Sequence, residues 1–267
     1  MTDCHYRRLG TDGDAAVFES TLGTASNWDA RIQHGSPPLA LLTKAIEELA
    51  APSGNRVGRL VLDILGAIPV APVKVRTWVV RPGARISLLA AELSPAGEGG
   101  DRPVARLSAW LLAPSDTADV ATDRHPPLVE GPPAAHRHAW IGAPGYLETV
   151  DWRPQASAPG EPAVAWLRAL VPLVDAEPTT DLQRLAVVVD SANGVGAVLD
   201  PDEFVFMNTD TAVHLHRAPR GADFGLRARA SIGPDGIGVT TTEVFDRDGF
   251  IGTCAQTLLV QRRVQRE

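Results

Sequence analysis

Two polar side chains stand where the surrounding pattern calls for apolar ones. Leu182, Leu185, Ala186 and Val189 recur at helical spacing, and Val187 and Val188 widen the stripe, so Asp190 ends a helix that reads as largely buried. Desolvation disfavours a charged carboxylate, so a buried one is held by hydrogen bonds or does chemistry, and proton abstraction from a water is the chemistry open to it. The alternative is that Asp190 marks the polar edge of the helix or ties down a loop through Asn193. Gln256 shares a strand face with Cys254, Leu258 and Val260. Its amide carries two donor hydrogens and an acceptor, which must find partners by orienting a reactant or by bridging two backbones. His214 and His216 lie on one strand face and are geometrically able to hold a metal, but no third ligand is evident nearby, so they read as structural. There is no Gly-x-Ser-x-Gly elbow, no phosphate-cradling loop and no dinucleotide fingerprint.

These residues are positioned by elements that the chain states twice. Val75 to Gly83, Arg85 to Leu93 and Val104 to Leu112 read as three strands with short turns, echoed by Leu226 to Gly236, Ile237 to Phe245 and Ile251 to Leu259. In that echo Glu92 falls on Glu243, Leu111 and Leu112 fall on Leu258 and Leu259, and Ala109 falls on Gln256. One copy is polar where the other is apolar, as expected when only one copy keeps a site. Upstream, Val17 to Leu22 reads as a strand, Pro37 and Pro38 fit the first turn of a helix over 39–49, and Arg59 to Gly66 is the next strand. The first helix carries no carboxylate from Ser36 to Ile46. After a Pro-, Ala- and Gly-dense connector, with a strand around Tyr146 to Arg153, come a strand over 163–170, a helix over 180–199 and a long strand from Phe204 to His216. Each half therefore reads strand, helix, four strands. The expected units are 1–118, a connector over 119–145 that holds the solvated His136 and His138, and 146–267 with the site.

Composition narrows the class. The formal charge of -7 speaks against nucleic acid, which is met by a basic face. Two cysteines, Cys4 and Cys254, are too few for a disulfide framework or a cysteine metal site, so the expected setting is the reducing cytoplasm. No apolar run approaches a membrane span and no basic-then-apolar leader is present. No cofactor is implied.

The resemblance carried by QHGSPPLALL at 33–42, VVRPG at 79–83, LAVVVDSANGVG at 185–196, NTDTAVHLHR at 208–217 and TCAQTLLV at 253–260 covers nearly the whole chain. It is to the double-hotdog acyl-CoA thioesterases of the bacterial thioesterase II type, especially actinobacterial thioesterase-like proteins. The resemblance implies an α+β double hotdog, two tandem repeats each with a long helix wrapped by a curved antiparallel sheet. It implies hydrolysis of acyl-CoA in fatty acid metabolism, with Asp190 and Gln256 as catalytic residues. The family also places a threonine or serine a few residues before the strand's His-Arg pair. That slot holds Asn208 with Thr209 beside it. Alternation puts Asn208 with Phe206 and Asp210, and Thr209 on the other face with Met207, Thr211 and Val213, so only one of the two faces the pocket and Asn208 is favoured. His34, Gly35 and Ser36 at the first helix's start are candidates for acyl-chain or oxyanion contacts. Two rivals follow from the same resemblance. One is a non-catalytic acyl-CoA binding protein, because Asn208 departs from the pattern. The other is a hotdog enoyl-CoA hydratase, because Asp29 and His34 are five apart, although ARIQ stands between them where that group has an Asn-Pro. The fused pair supplies the dimer such a fold needs, and sheet edges leave homo-oligomers open.

Overall fold

The computed structural model describes residues 2–97, 102–134, 144–158 and 160–263. In the first half β1 (Tyr6–Asp12) and β2 (Ala15–Ser20) precede α1 (Ser36–Ala50), followed by β3 (Arg56–Ile64), β4 (Pro72–Arg81), β5 (Ile86–Pro95) and β6 (Ala105–Leu112). The second half has β7 (Val150–Pro154), β8 (Ala163–Ala169), α2 (Asp181–Val189), α3 (Ala192–Val195), β9 (Phe204–Asn208) and β10 (Asp210–Leu215). It closes with β11 (Phe224–Ile232), β12 (Ile237–Asp246) and β13 (Gly249–Arg262). The strands join one antiparallel sheet in the order β1-β2-β4-β5-β6-β3-β10-β13-β12-β11-β8-β7, with β9 also on β13. Followed inward from either edge, the connectivity is the same, and β3 against β10 joins the halves.

The registers repeat as the sequence echo requires. Arg76 lies opposite Glu92 and Arg227 opposite Glu243; Leu89 lies opposite Ala109 and Thr240 opposite Gln256. Both glutamates serve their sheets, Glu92 bonding Arg106 and Glu243 bonding Arg227. Each half opens with two strands: in the second half these are the strands expected around Tyr146 to Arg153 and over 163–170, whereas in the first half only β2 was expected. The strand β1 is largely exposed and carries the polar run RRLGTD, so no apolar alternation announces it.

The helices form the middle of the core. Leu39 to Leu42 and Ile46 of α1, and Leu185 to Val189 of α2, are buried; α1 packs on β4, β5 and β6, and α2 on β8 and β11. The helices run antiparallel against each other, which follows from their two ends. Near the end of α1 the Glu47 carboxylate accepts from Thr180 Oγ1 (2.9 Å) and Gln183 Nε2 (2.7 Å), both in the capping box that starts α2. At the other end Gly35, which precedes α1, touches Asp190, which follows α2. A carboxylate at the C-terminal end of its own helix is opposed by that helix's dipole, and each is offset here by the positive N-terminal end of the other.

Truncating Glu47 leaves the buried Gln183 amide, and the exposed Thr180 hydroxyl beside it, without their acceptor. Glu47→Ala is therefore expected to lower unfolding stability by about 1–3 kcal/mol, read from urea denaturation.

Candidate functional site

The helix expected over 180–199 is interrupted, and the interruption makes the site. In a continuous helix the Asn193 N–H would meet the carbonyl four residues back; instead it donates to Gln256 Oε1 (2.7 Å), while Gln256 Nε2 donates to the Asp190 carbonyl (2.8 Å). The side-chain amide of β13 thus stands in for a peptide unit, ending α2 at Val189 and starting α3 at Ala192. Gln256 Nε2 also reaches Thr211 Oγ1 (2.9 Å) and Asp190 Oδ1 (3.3 Å). Gln256 is 1% exposed and its amide is spent within the protein, so it holds Asp190 rather than a water.

The long strand expected over 204–216 is also broken. The β9 register pairs Asn208 with Leu258, whereas β10 pairs Ala212 with Ala255, so one extra residue is inserted opposite β13. The bulge reverses side-chain alternation. Phe206 and Asn208 point inward before it, and Thr211 and Val213 after it. Both Asn208 and Thr211 therefore converge on one oxygen: Asn208 Nδ2 donates to Asp190 Oδ1 (2.8 Å) and Thr211 Oγ1 donates to the same atom (2.5 Å). The expected face shared by Asn208 and Asp210 is corrected accordingly. The Asp210 carboxylate instead accepts from the Thr257 N–H (2.9 Å) and pins the bulge. Thr209 is exposed, and its hydroxyl bonds Asp210 Oδ1 and the Thr257 carbonyl rather than Asp190. Thr211, which the alternation argument set aside, supplies the hydroxyl. Continuing the β10 register places it opposite Gln256, as Leu60 lies opposite Ala109 in the first half. The apolar Leu60–Ala109 pair thus becomes a polar Thr211–Gln256 pair.

The other carboxylate oxygen, Asp190 Oδ2, has no hydrogen-bond partner among the described residues. It is covered by Gly35, where an added Cβ would lie 2.6 Å from it, and by His34, whose Nδ1 is 3.5 Å away. His34 stacks on Tyr146 (centroids 4.1 Å, 18°), and the Tyr146 hydroxyl donates to the Val187 carbonyl (2.7 Å) and meets Ser191 Oγ (2.7 Å). Burial lowers the His34 pKa, against the opposing charge of Asp190, which favours the neutral ring. Pro37 and Pro38 remove two N–H groups from the first turn of α1, leaving those of Gly35 and Ser36; the Ser36 N–H donates to His34 Nδ1 (3.1 Å).

These groups open on a cavity of about 690 Å³. His34, Gly35, Asp190, Asn208 and Thr209 line one part, and Trp28, Ile32, Ile64, Ile68, Leu147 and Trp152 contribute apolar walls from both halves. Ser36 is buried at the start of α1. Asp29 is turned away from His34: its carboxylate is bound by the Arg31 guanidinium (2.6 Å) and backbone N–H (2.9 Å), which hold its pKa down at about 2. His214 and His216 are exposed, and among the described residues no cluster of three metal-ligating side chains occurs. His136 and His138 lie outside the described residues. Cys4 and Cys254 are buried and free. No described helix is long and apolar enough to cross a membrane.

Residues 101–260 match the sequence profile of the acyl-CoA thioesterase C-terminal domain, and residues 24–112 match that of the acyl-CoA thioesterase N-terminal domain. The chain belongs to the acyl-CoA thioesterase family. Solved structures agree on a hotdog fold of α+β class. A hotdog-fold protein of unknown function from Alicyclobacillus acidocaldarius has a TM-score of 0.71 at 15% identity, over 95% of this chain and 96% of that one. The acyl-CoA thioesterase II TesB2 from Mycobacterium marinum has a TM-score of 0.65 at 15% identity, over 98% and 96%. The tesB protein of Mycobacterium avium subs paratuberculosis has a TM-score of 0.68 at 14% identity, over 96% and 95%. Among curated proteins none matches this family member in sequence.

Thr211 and Thr209 separate the roles of the two threonines. Thr211→Val removes a donor from a buried carboxylate and is expected to cost about 1–3 kcal/mol in chemical denaturation. Thr209→Val, at an exposed position, is expected to stay within about 0.5 kcal/mol of the parent.

Proposed function

We propose that this chain is a double-hotdog thioesterase that hydrolyses acyl-CoA to a free acid and CoA, with a first repeat over 1–118, a connector over 119–145 and a second repeat over 146–267 that carries the chemistry. The observation that carries the reading is the Asp190 carboxylate. It is buried, one oxygen is fixed by Thr211, Asn208 and Gln256 and the other is left without a donor, and it adjoins a largely apolar cavity formed by both halves.

Each group then has a role in water attack on a thioester. The acyl chain occupies the apolar cavity, which burial of hydrocarbon favours at about 25 cal/mol per Å². The Asp190 charge drives deprotonation of the attacking water, and Gln256 and Thr211 keep that charge in place. Asn208 spends its Nδ2 on Asp190, Thr211 and the Asp210 carbonyl, which leaves its Oδ1 to accept a hydrogen bond from the water and align it. As the carbonyl carbon becomes tetrahedral its oxygen turns anionic, and the Gly35 N–H at the positive end of α1 is the donor placed to meet it.

The test is thiol release from acyl-CoAs of short, medium, long and aromatic acyl groups. Asp190→Asn, which keeps the shape and removes the charge, is expected to lower kcat/KM by about 10²–10⁴. Tight binding of acyl-CoA by the parent protein with no thiol released would instead mean a binding protein.

A further inference from the structure

We infer that two copies of this chain pair back to back through the outer face of the sheet, about a two-fold axis that crosses the strands at Val61. This pairing is independent of the hydrolysis proposed above. In β3 the buried Leu60 and Leu62 face the helices, so Arg59, Val61 and Asp63 face outward. By register, Ser108 and Trp110 of β6, Leu88 and Ala90 of β5 and Trp78 of β4 share that outer face.

The two halves differ here. The echo sets Arg229, Thr241 and Thr257 where Trp78, Ala90 and Trp110 stand. The outer face of the second half is also covered by the connector. Leu128 lies against Gly225, where an added Cβ would be 2.5 Å from it, the Pro126 carbonyl accepts from Arg227 Nη2 (3.3 Å), and His125 stacks on Phe250 (centroids 3.6 Å, 11°). The first half has no such cover: Trp78, Ile86 and Leu112 are 39%, 46% and 43% exposed, joined across the strands by Leu88 and Trp110. An exposed apolar patch rimmed by polar residues marks an interaction surface.

Charge selects a second copy as the occupant. Arg59 Nη2 donates to Ser108 Oγ (3.2 Å), Arg59 Nε is buried without a partner, and Arg59 makes no ion pair among the described residues. Asp63 is exposed and also without an ion pair among the described residues; Arg106, opposite it on β6, is held by Glu92 (2.7 Å). The free cation and the free anion thus flank Val61 on one strand, each about 7 Å away along it. A two-fold axis lying across the strands at Val61 reverses β3 in the second copy. Arg59 then faces the second copy's Asp63, the pair is made twice, Trp110 faces the second copy's Arg106 in cation–π geometry, and Trp78 meets its own copy. An axis along β3 would set Arg59 on Arg59, which like-charge repulsion opposes. A second copy carries the complement of this pattern by construction.

Across β4, β5, β6, β3, β10 and β13, at about 4.8 Å per strand and five residues of about 3.4 Å each, the face spans about 500 Å² per copy. Two copies together bury about 1,000 Å², where specific interfaces begin, so association in the micromolar range is expected.

Sedimentation velocity of the full chain over about 1–100 µM is expected to move from the mass of one chain toward that of two. A monomer across that range leaves the face to some other partner and overturns the inference. Arg59→Asp and Asp63→Arg each set like charges against each other and are expected to remain monomeric when alone. An equimolar mixture of these two variants is expected to dimerise, because each then supplies the charge the other lacks, a rescue that repair of folding does not produce. Trp78→Glu, at an exposed position, is expected to abolish dimerisation with its circular dichroism unchanged. Dimers that persist in both charge variants or in Trp78→Glu, or a mixture that remains monomeric while both variants keep the parent's circular dichroism, overturn the inference.

Discussion

Enclosing a carboxylate strips it of water, and the second half of this protein is arranged around that cost at Asp190. Three side chains from β9, β10 and β13 converge on one oxygen, the N-terminal end of α1 faces the group, and its main-chain carbonyl is taken by Gln256. Bonds to a charged acceptor are each worth about 1.5–3 kcal/mol, enough together to hold an anion in a core that would otherwise expel it. The oxygen left without a donor marks where the arrangement is not purely structural. Buried carboxylate oxygens are usually satisfied, and the proposed chemistry is built on this exception.

Two irregularities make this possible, and each breaks an element that simple periodicity would continue. The Gln256 amide interrupts the helix so that Asp190 turns out at its end. The extra residue between β9 and β10 reverses alternation so that Asn208 and Thr211 share a side. Neither is needed in the first half, where Ala109 and Leu60 occupy the corresponding positions and pack as ordinary core. The duplicated sheet thus supplies a rigid frame, and a few local substitutions convert one of its two equivalent places into a polar site.

Much of this was legible from residue patterns. The echo between the last three strands of each half is reproduced register for register, because alternation and short turns fix strand pairing locally. Asp190 and Gln256 stood out because polar groups on apolar faces are costly. Thr211 was missed because alternation was carried forward from Phe206 through a strand taken as continuous. Counted back from the buried Val213, the same rule turns Thr211 inward, and the disagreement between the two counts was the sign of a bulge. The role of Tyr146 had no local signal, since its stacking on His34 joins segments more than a hundred residues apart. The edge strand β1 was invisible for a related reason: its pairing is made by backbone, and its side chains from Arg8 onward face solvent.

The central claim is that Thr211 and Gln256 act through Asp190 and not on the substrate or the attacking water. A double-mutant cycle in kcat/KM for thiol release, combining Thr211→Val with Asp190→Asn, addresses it most directly. Thr211→Val should impair the enzyme that has Asp190 and add almost nothing once Asp190 is Asn, because groups that work as a unit are strongly non-additive. Equal losses from Thr211→Val in both backgrounds would mean that the hydroxyl meets the water or substrate independently, and would contradict the account.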